Sequence, residues 1–302
     1  MTTARERFNA FRKASGRPAT LRKQTVAARG LDFAVFATPP VDGAPPLVCV
    51  NGGMVYSHAL LWPALAPLAH ERQVILYDLR GRGASQAPPG VRAARIEHDA
   101  LDLLAIAEAI APSGFDLLAH SWGGGIAMLA AADTPPALRR LVLVDAVGAA
   151  SEWLADLHTF ALARLADDPT LYAALAAWDP IALHQPNALA QSDYNRALYP
   201  AWFHDRALGT AFAPPRAESE TGAAVVARLR REGYDWRDRI GTIRTPTLLL
   251  HGTSDLIPVA QAERTASLLH DATLVPIPDA GHMPFWEQPE LFFGRVRAFL
   301  NR

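Results

Sequence analysis

The chain of 302 residues is half hydrophobic and one-fifth charged, with 29 Lys and Arg residues against 30 Asp and Glu residues. This length allows one large α/β domain with an insertion, or two small domains. The net charge of −1 gives no indication of a nucleic-acid or other polyanionic partner. Functions that depend on a strongly basic surface are therefore disfavoured.

The single cysteine, Cys49, lies in the apolar run of residues 46–50 and cannot form an internal disulfide. We interpret it as a small buried hydrophobe rather than a nucleophile. No apolar run approaches the roughly 18 residues of a membrane span. Residues 1–29 are rich in Arg and Lys but lack the apolar segment of a signal peptide. We interpret them as a solvated lead-in and expect a soluble, cytoplasmic protein without a membrane partner.

Short apolar runs alternate with longer helical patterns along the first half of the chain. Most of these runs are continuously apolar, as in strands buried on both faces of a parallel sheet. The alternation predicts a mostly parallel sheet flanked by helices. In chain order we predict strand 31–37, strand 46–50, helix 59–69, strand 73–77, helix 96–110, strand 115–119, helix 123–132 and strand 140–144.

The alternation of strands and helices stops after Asp145. Residues 151–239 have a helical pattern without a strand, and contain many aromatic residues and prolines. The alternation then returns with strand 246–251, helix 259–269, strand 273–277 and helix 289–300. This organisation predicts an α/β core domain of residues 1–150 and 240–302, interrupted by a helical cap of residues 151–239.

Residues 115–124 combine a strand, a serine and the start of a helix. A serine on such a sharp turn projects its hydroxyl above the sheet edge, and small residues two before and two after it allow close backbone approach. Ala119 replaces the usual first glycine here, and Gly123 is the second. Residues 83–87 match the same relaxed motif but follow a loop. The context therefore selects Ser121 as the nucleophile, with a helix N-cap as its alternative role.

A serine hydroxyl needs a base to become a useful nucleophile. His282 follows the predicted strand 273–277, at the carboxyl end where open α/β sheets bind ligands. A carboxylate must fix the tautomer of this histidine. Asp255 and Asp145 both follow predicted strands. The chain order Ser, Asp, His favours Asp255, with Asp145 as the alternative.

Acyl transfer generates an oxyanion, which needs backbone N–H donors. Trp122 directly follows the proposed nucleophile and supplies one donor. Gly53 lies in the loop after strand 46–50 and is our choice for the second. The alternative for the Gly52–Gly53 pair is a plain glycine turn.

Together these motifs resemble the serine-nucleophile branch of the α/β-hydrolase superfamily. The resemblance implies that Asp78 and Arg80 shape the loop after their strand and are not catalytic. Asn51 stands where many relatives have histidine, and we expect its side chain to preserve the turn by hydrogen bonding. The motifs that carry the resemblance are residues 51–53, 77–85, 120–124, 246–255 and 281–284.

Serine at the nucleophile position indicates acyl transfer, because the similar haloalkane dehalogenases and epoxide hydrolases carry aspartate there. Residues 121–123, the glycine pair and residues 234–240 are similar to proline iminopeptidases, although Met54 and Val55 replace the Pro-Gly of that group. We therefore expect a serine hydrolase that cleaves a small-molecule carboxylic ester without a cofactor or metal. The alternatives are a proline iminopeptidase-like aminopeptidase, a C–C bond hydrolase and, least favoured, a non-catalytic ligand-binding protein. The sequence is also compatible with a homo-oligomer.

The aminopeptidase alternative makes its own demand on the cap. A substrate ammonium in a dry pocket needs a carboxylate partner. Glu218 and Glu220 are the candidates in the cap. The ester hypothesis instead predicts a mainly apolar pocket, with both glutamates in water.

Overall fold

The computed structural model describes residues 20–302, apart from residues 213, 215 and 216 and the side chain of Arg92. Its strands form one sheet in the order β1-β2-β4-β3-β5-β6-β7-β8. The β1–β2 and β2–β4 pairs are antiparallel, and the other pairs are parallel. The strands are β1 Arg22–Ala28, β2 Leu31–Ala37, β3 Leu47–Val50, β4 Val74–Tyr77, β5 Phe115–His120, β6 Leu138–Val144, β7 Thr247–Gly252 and β8 Ala272–Ile277.

Helices flank the sheet, and those between β6 and β7 form a separate group in which the described residues contain no strand. No described helix is long and apolar enough to cross a membrane. The helices are α1 Ile96–Ile110, α2 Trp122–Ala132, α3 Leu157–Arg164, α4 Pro169–Ala176, α5 Ala188–Trp202, α6 Arg206–Ala211, α7 Glu220–Glu232, α8 Arg237–Ile240, α9 Val259–Leu268, α10 Pro284–Glu287 and α11 Pro289–Leu300.

The central strands are buried on both faces, which explains their continuously apolar sequences. Along β3, Val48 belongs to the core cluster that contains residues of α1 and α2. Leu47 and Cys49 belong to the cluster that contains residues of α11. Successive side chains thus enter opposite cores, as strand geometry requires. Cys49 is the buried hydrophobe that its sequence context predicts, and burial raises the pKa of its thiol.

Two sequence-based predictions are wrong. Within the predicted solvated lead-in, Arg22–Ala28 forms the edge strand β1, while residues 1–19 lie outside the described part of the chain. Most of β1 is exposed, so it carries polar residues and lacks an apolar signal. The predicted helix 59–69 is instead two short 3₁₀ turns, His58–Leu60 and Ala66–His70. Prolines 63 and 67 lack the N–H groups that a continuous helix would use.

Candidate active site

Ser121 lies on a sharp turn between the end of β5 and the start of α2. Its φ of 56° is in the left-handed region that non-glycine residues rarely adopt. The turn is held from both sides, because the Ser121 amide donates to the carbonyl of Val144 and its carbonyl accepts from the amide of Val147. The side chain is 6% exposed. The backbone of Ser121 is thus held in place, and the residue lines a cavity rather than the open surface.

Small residues around the turn make this geometry feasible. A Cβ atom on Gly123 would lie 2.4 Å from the carbonyl oxygen of Val50. A Cβ atom on Gly52 would lie 2.5 Å from the Cβ of Ser121. The close approach of α2 and the β3 loop therefore requires glycine at both positions.

His282 lies in the loop after β8, within contact of the cap. Its Nδ1 is 2.8 Å from Oδ2 of Asp255. Its backbone amide donates to the carbonyl of Trp202 at 2.7 Å, and the Trp202 and His282 rings lie 4.2 Å apart. The ring nitrogen Nε2 of His120 donates to the carbonyl of His282 at 2.8 Å. Burial lowers the pKa of His120 to about 3, so this imidazole is neutral.

Asp255 lies behind His282 and is itself buried. Burial alone would raise the pKa of Asp255, but the charge and the hydrogen bond of His282 outweigh it and lower the pKa below its ordinary value. The other carboxylate oxygen accepts from the amide of Ile257 at 3.1 Å. The site therefore places an ionised carboxylate against Nδ1 of His282, which leaves Nε2 of the same ring for chemistry.

Asp145, the alternative acid, occupies a different position. Its Oδ1 accepts from the amide of Gly252 at 2.7 Å, and no described ion pair joins it to His282. Burial, followed by the negative charge of Asp255, raises the pKa of Asp145 well above its ordinary value. Asp145 therefore holds its proton more strongly than an ordinary carboxyl group, and no described hydrogen bond or ion pair joins it to His282.

Asp145, His251 and Asp255 bring atoms of metal-ligand type within 4.8 Å of one another. Asp255 is bound to His282, and Nε2 of His251 donates to the carbonyl of Ile257 at 2.8 Å. The raised pKa of Asp145 disfavours a second negative charge beside Asp255, which weakens the attraction for a cation. The cluster fits a buried acid pair better than an ion site.

The loop after β3 brings Gly53 beside the serine turn. Nδ2 of Asn51 donates to the carbonyl of Gly52 at 3.0 Å and to the carbonyl of Tyr56 at 3.2 Å, so the predicted role of Asn51 in the turn is confirmed. Trp122 is the first residue of α2, and the first amides of a helix have no partner inside it. Both candidate donors line the cavity that contains Ser121, at the positive end of α2.

One cavity joins the candidate residues to the cap. Ser121, His282, Gly53 and Trp122 line its floor. None of the described residues that line it is Asp or Glu. Glu218 and Glu220 are exposed, and Glu218 lines a neighbouring cavity that shares Tyr56, Leu60 and Tyr199 with this one. The other lining residues are Tyr56, Leu60, His120, Trp153, Leu154, Leu157, Gln191, Asn195, Leu198, Tyr199, Trp202, Val226, Arg230 and Met283.

The loop after β4 is organised by its own polar residues. The carboxylate of Asp78 accepts from the amide of Ala84 at 2.8 Å, and Arg80 binds Asp102 through two hydrogen bonds. The hydroxyl of Ser85 donates to the carbonyl of Asp78 at 2.6 Å. Ser85, the competing match to the serine motif, therefore has a local structural contact.

The sequence analysis missed several residues that shape the site. His120 and Trp202 hold the His282 loop, and Glu287 accepts from the amide of Gly281 at 2.6 Å. Arg230 enters the cavity from α7. Arg230 follows Val226 by four positions and so shares a helix face with it, but this spacing alone does not indicate that the face lines the cavity.

The comparisons with known proteins agree with this architecture. A family model described as alpha/beta hydrolase fold matches residues 45–289. The 2-hydroxy-6-oxo-2,4-heptadienoate hydrolase of Pseudomonas putida is 29% identical over 266 residues, covering 86% of this chain and 90% of the relative. A proline iminopeptidase of Lactobacillus crispatus is 26% identical over 285 residues, covering 85% and 90%.

Among solved structures, the enol-lactonase of Burkholderia xenovorans LB400 superposes with a TM-score of 0.67 at 22% identity, covering 92% of this chain and 100% of that one. This likeness concerns the fold. The family match spans most of the chain and includes the serine turn, the Asp255 loop and His282. The chain therefore belongs to the α/β-hydrolase fold family.

Proposed function

We propose that this hydrolase cleaves a small-molecule carboxylic ester through an acyl-enzyme on Ser121. The observation that carries the proposal is the strained, buried Ser121 in one cavity with His282, whose Nδ1 is 2.8 Å from the carboxylate of Asp255. A base oriented in this way beside a fixed serine is the arrangement that nucleophilic acyl transfer needs.

In the proposed reaction the Ser121 hydroxyl attacks the ester carbonyl. Nε2 of His282 takes the hydroxyl proton and gives it to the departing alcohol, while Asp255 stabilises the imidazolium. The amides of Gly53 and Trp122 stabilise the oxyanion of each tetrahedral intermediate. A water molecule then attacks the acyl-enzyme, with His282 again as base, and releases the acid and free Ser121.

Carbon–carbon bond hydrolysis is the second candidate. It is supported by the similarity to the 2-hydroxy-6-oxo-2,4-heptadienoate hydrolase, which extends over 86% of this chain. An aminopeptidase has the similarity to proline iminopeptidase in its favour. Against an aminopeptidase, the cavity does not offer the carboxylate that a substrate ammonium needs, because the described residues lining it include no Asp or Glu.

The test combines covalent labelling with a substrate panel. A fluorophosphonate probe should label the wild-type protein but not Ser121→Ala, which keeps the fold. Ser121→Ala should also lower kcat on p-nitrophenyl esters by several powers of ten, because only binding and oxyanion contributions remain. Absence of labelling, or near-normal ester turnover by Ser121→Ala, would refute the serine mechanism. Turnover of aminoacyl-naphthylamides without ester turnover would refute the substrate class.

A further inference from the structure

Arg230 is a cation in a cavity whose described lining residues include no carboxylate to neutralise it. It lies on the inner face of α7, is half-buried, and lines the cavity together with Ser121 and His282. No ion pair joins it to any Asp or Glu in the described part of the chain. Its neighbours Arg228 and Arg231 both pair with Glu232. Arg230 is thus the arginine of this helix segment that turns towards the candidate catalytic residues.

The hydrogen bonds of Arg230 leave most of its donors available. Nη1 donates to Oε1 of Gln191 at 2.9 Å, and the guanidinium lies 5.3 Å from the centre of the Tyr194 ring. Of its five N–H groups, the described residues provide an acceptor for this one alone. Gln191 is itself fixed, since its Nε2 donates to Oδ1 of Asn195 at 2.7 Å. The guanidinium is therefore held in place with a free edge.

This arrangement is costly for the chain unless a ligand completes it. Burial lowers the pKa of Arg230, which shows that the environment disfavours its charge. The Tyr194 ring compensates for part of that cost through a cation–π contact. A carboxylate would compensate further, because its two oxygens match the parallel N–H groups of a guanidinium.

Given the proposed ester hydrolysis on Ser121, on which this step rests, we infer that the substrate is an ester that also carries a free carboxylate, and that Arg230 binds this carboxylate. The mainly apolar walls contributed by Leu157, Leu198 and Val226 suit a short hydrocarbon between the two groups. The same charge repels an ammonium, so Arg230 also selects against free amino termini.

The kinetic test uses two substrates of equal chain length. Mono-4-nitrophenyl adipate carries the carboxylate, and 4-nitrophenyl hexanoate does not. The wild-type kcat/KM should favour the adipate, and Arg230→Gln should lower it about 10- to 100-fold for the adipate, as expected for a lost hydrogen bond to a charged group. The loss of hexanoate turnover in Arg230→Gln should be much smaller than the loss of adipate turnover, and urea unfolding should show that the variant is folded.

Arg231→Gln is the matched control. It removes the same charge from the next residue along the chain, whose side chain is 43% exposed. It should leave both substrates unaffected. Equal adipate losses in the two variants, or an unchanged ratio of adipate to hexanoate turnover in Arg230→Gln, would overturn the assignment. Ester turnover that depends on Ser121 would still support the proposed function in that case.

A binding measurement separates recognition from catalysis. Isothermal titration of Ser121→Ala should show that monomethyl adipate binds more tightly than dimethyl adipate, and the additional change Arg230→Gln should abolish the difference. This result does not depend on turnover, so it survives a failure of the ester mechanism. Hexyl phosphate, compared with the free hexanoate anion, tests whether the site prefers a phosphate to a carboxylate. Tighter binding of hexyl phosphate than of the free hexanoate anion would overturn the carboxylate assignment.

Discussion

At the scale of single residues, the two buried acids beside His282 have different tasks. Asp255 accepts from the imidazole and has a lowered pKa, whereas Asp145 has a raised pKa and accepts from the amide of Gly252 at the end of β7. Like charges at such short range do not both ionise. Proximity to the base therefore decides which acid carries the charge.

Replacement of each acid by its amide tests this division. Asp255→Asn should lower kcat/KM on the best ester by roughly 10⁴-fold, the scale observed when a catalytic histidine loses the carboxylate that fixes its tautomer. Asp145→Asn should cost far less, because the amide oxygen can still accept from the amide of Gly252 and no described contact joins this side chain to His282. Steady-state kinetics at neutral pH measures both. A larger loss in Asp145→Asn would assign the orienting acid to the end of β6.

The candidate triad could be predicted from the sequence because each member follows a recognisable strand within a few residues. Arg230 and Trp202 could not be assigned in this way. They lie in the segment between β6 and β7, where the helical pattern does not determine which face meets the cavity. Trp202 also acts partly through its carbonyl, which accepts from the amide of His282, and a backbone contact leaves no mark on residue type.

At the scale of elements, α2 is the part whose sequence is most restricted by the site. It approaches the β3 loop closely enough for a Cβ at Gly123 to collide with two backbone carbonyls. The helix thereby brings the amide of Trp122 into the same cavity as Gly53. The close packing of the start of α2 against the loop after β3 therefore stabilises the protein and also forms the proposed oxyanion site.

Two glycine substitutions separate crowding from helix propensity. Gly123→Ala should destabilise the protein by about 1–3 kcal/mol through overpacking. Gly294→Ala, in α11, meets no atom within 4 Å and should stabilise by about 0.5–1 kcal/mol. Urea unfolding measures both changes. If Gly123→Ala were neutral or stabilising, the tight contact between α2 and the β3 loop would be wrong.

Glu287, at the end of α10, links the His282 loop to the cap. Its carboxylate accepts from the amide of Gly281 at 2.6 Å and from the amide of Asp205 at 2.9 Å. Burial raises the pKa of Glu287 from 4.5 to about 7. Between these values the native state holds a proton that the unfolded state releases. The contribution of Glu287 to the free energy of unfolding is therefore greatest below pH 4.5 and falls as pH rises through 7.

Glu287→Gln should remove this pH dependence. The free energy of unfolding of the wild type should exceed that of the variant by more at pH 5 than at pH 8, since each pKa unit corresponds to about 1.4 kcal/mol. Urea titrations at the two pH values measure the difference. Glu290→Gln, an exposed acid nearby on α11, is the charge-matched control. Identical pH dependence in both variants would contradict the raised pKa of Glu287.

The element predictions succeeded where local pattern and burial agree. β3 to β8 were predicted within two residues of their observed ends. β3 to β7 have continuous apolar runs because both faces of these strands are largely covered, and the edge strand β8 has an apolar run although most of its residues are only partly buried. β1 was missed because an exposed edge strand has no such pattern. Its pairing with β2 depends on the neighbouring strand rather than on its own side chains.

At the scale of the whole molecule, negative charge lies on the outer surface of the cap, and the cavity holds a cation. Glu218 and Glu220 are exposed, and the cavity contains Arg230. This distribution is opposite to the one that recognition of a substrate ammonium requires. The ester hypothesis predicted a mainly apolar pocket, and the structure adds a polar patch of Gln191, Asn195 and Arg230.

The double change Glu218→Gln and Glu220→Gln should therefore leave ester turnover within about twofold, as expected for exposed charges far from the reacting atoms. The double change Glu108→Gln and Glu263→Gln removes the same charge elsewhere on the surface and serves as the control. Parallel assays with esters and aminoacyl-naphthylamides compare the variants. Loss of aminopeptide turnover in the cap variant alone, with ester turnover intact, would replace the ester hypothesis by the peptidase alternative.

The pairing of β6 with β7 has a consequence for biosynthesis. These adjacent parallel strands are separated in the chain by residues 145–246. A nascent chain that has reached the cap already contains Ser121 but presents β6 as an open apolar edge, which is prone to aggregation until β7 arrives. Closing so long a loop is slow. The proposed nucleophile Ser121 is therefore synthesised well before the proposed base, and the proposed mechanism makes the growing chain inert towards substrate until His282 is translated.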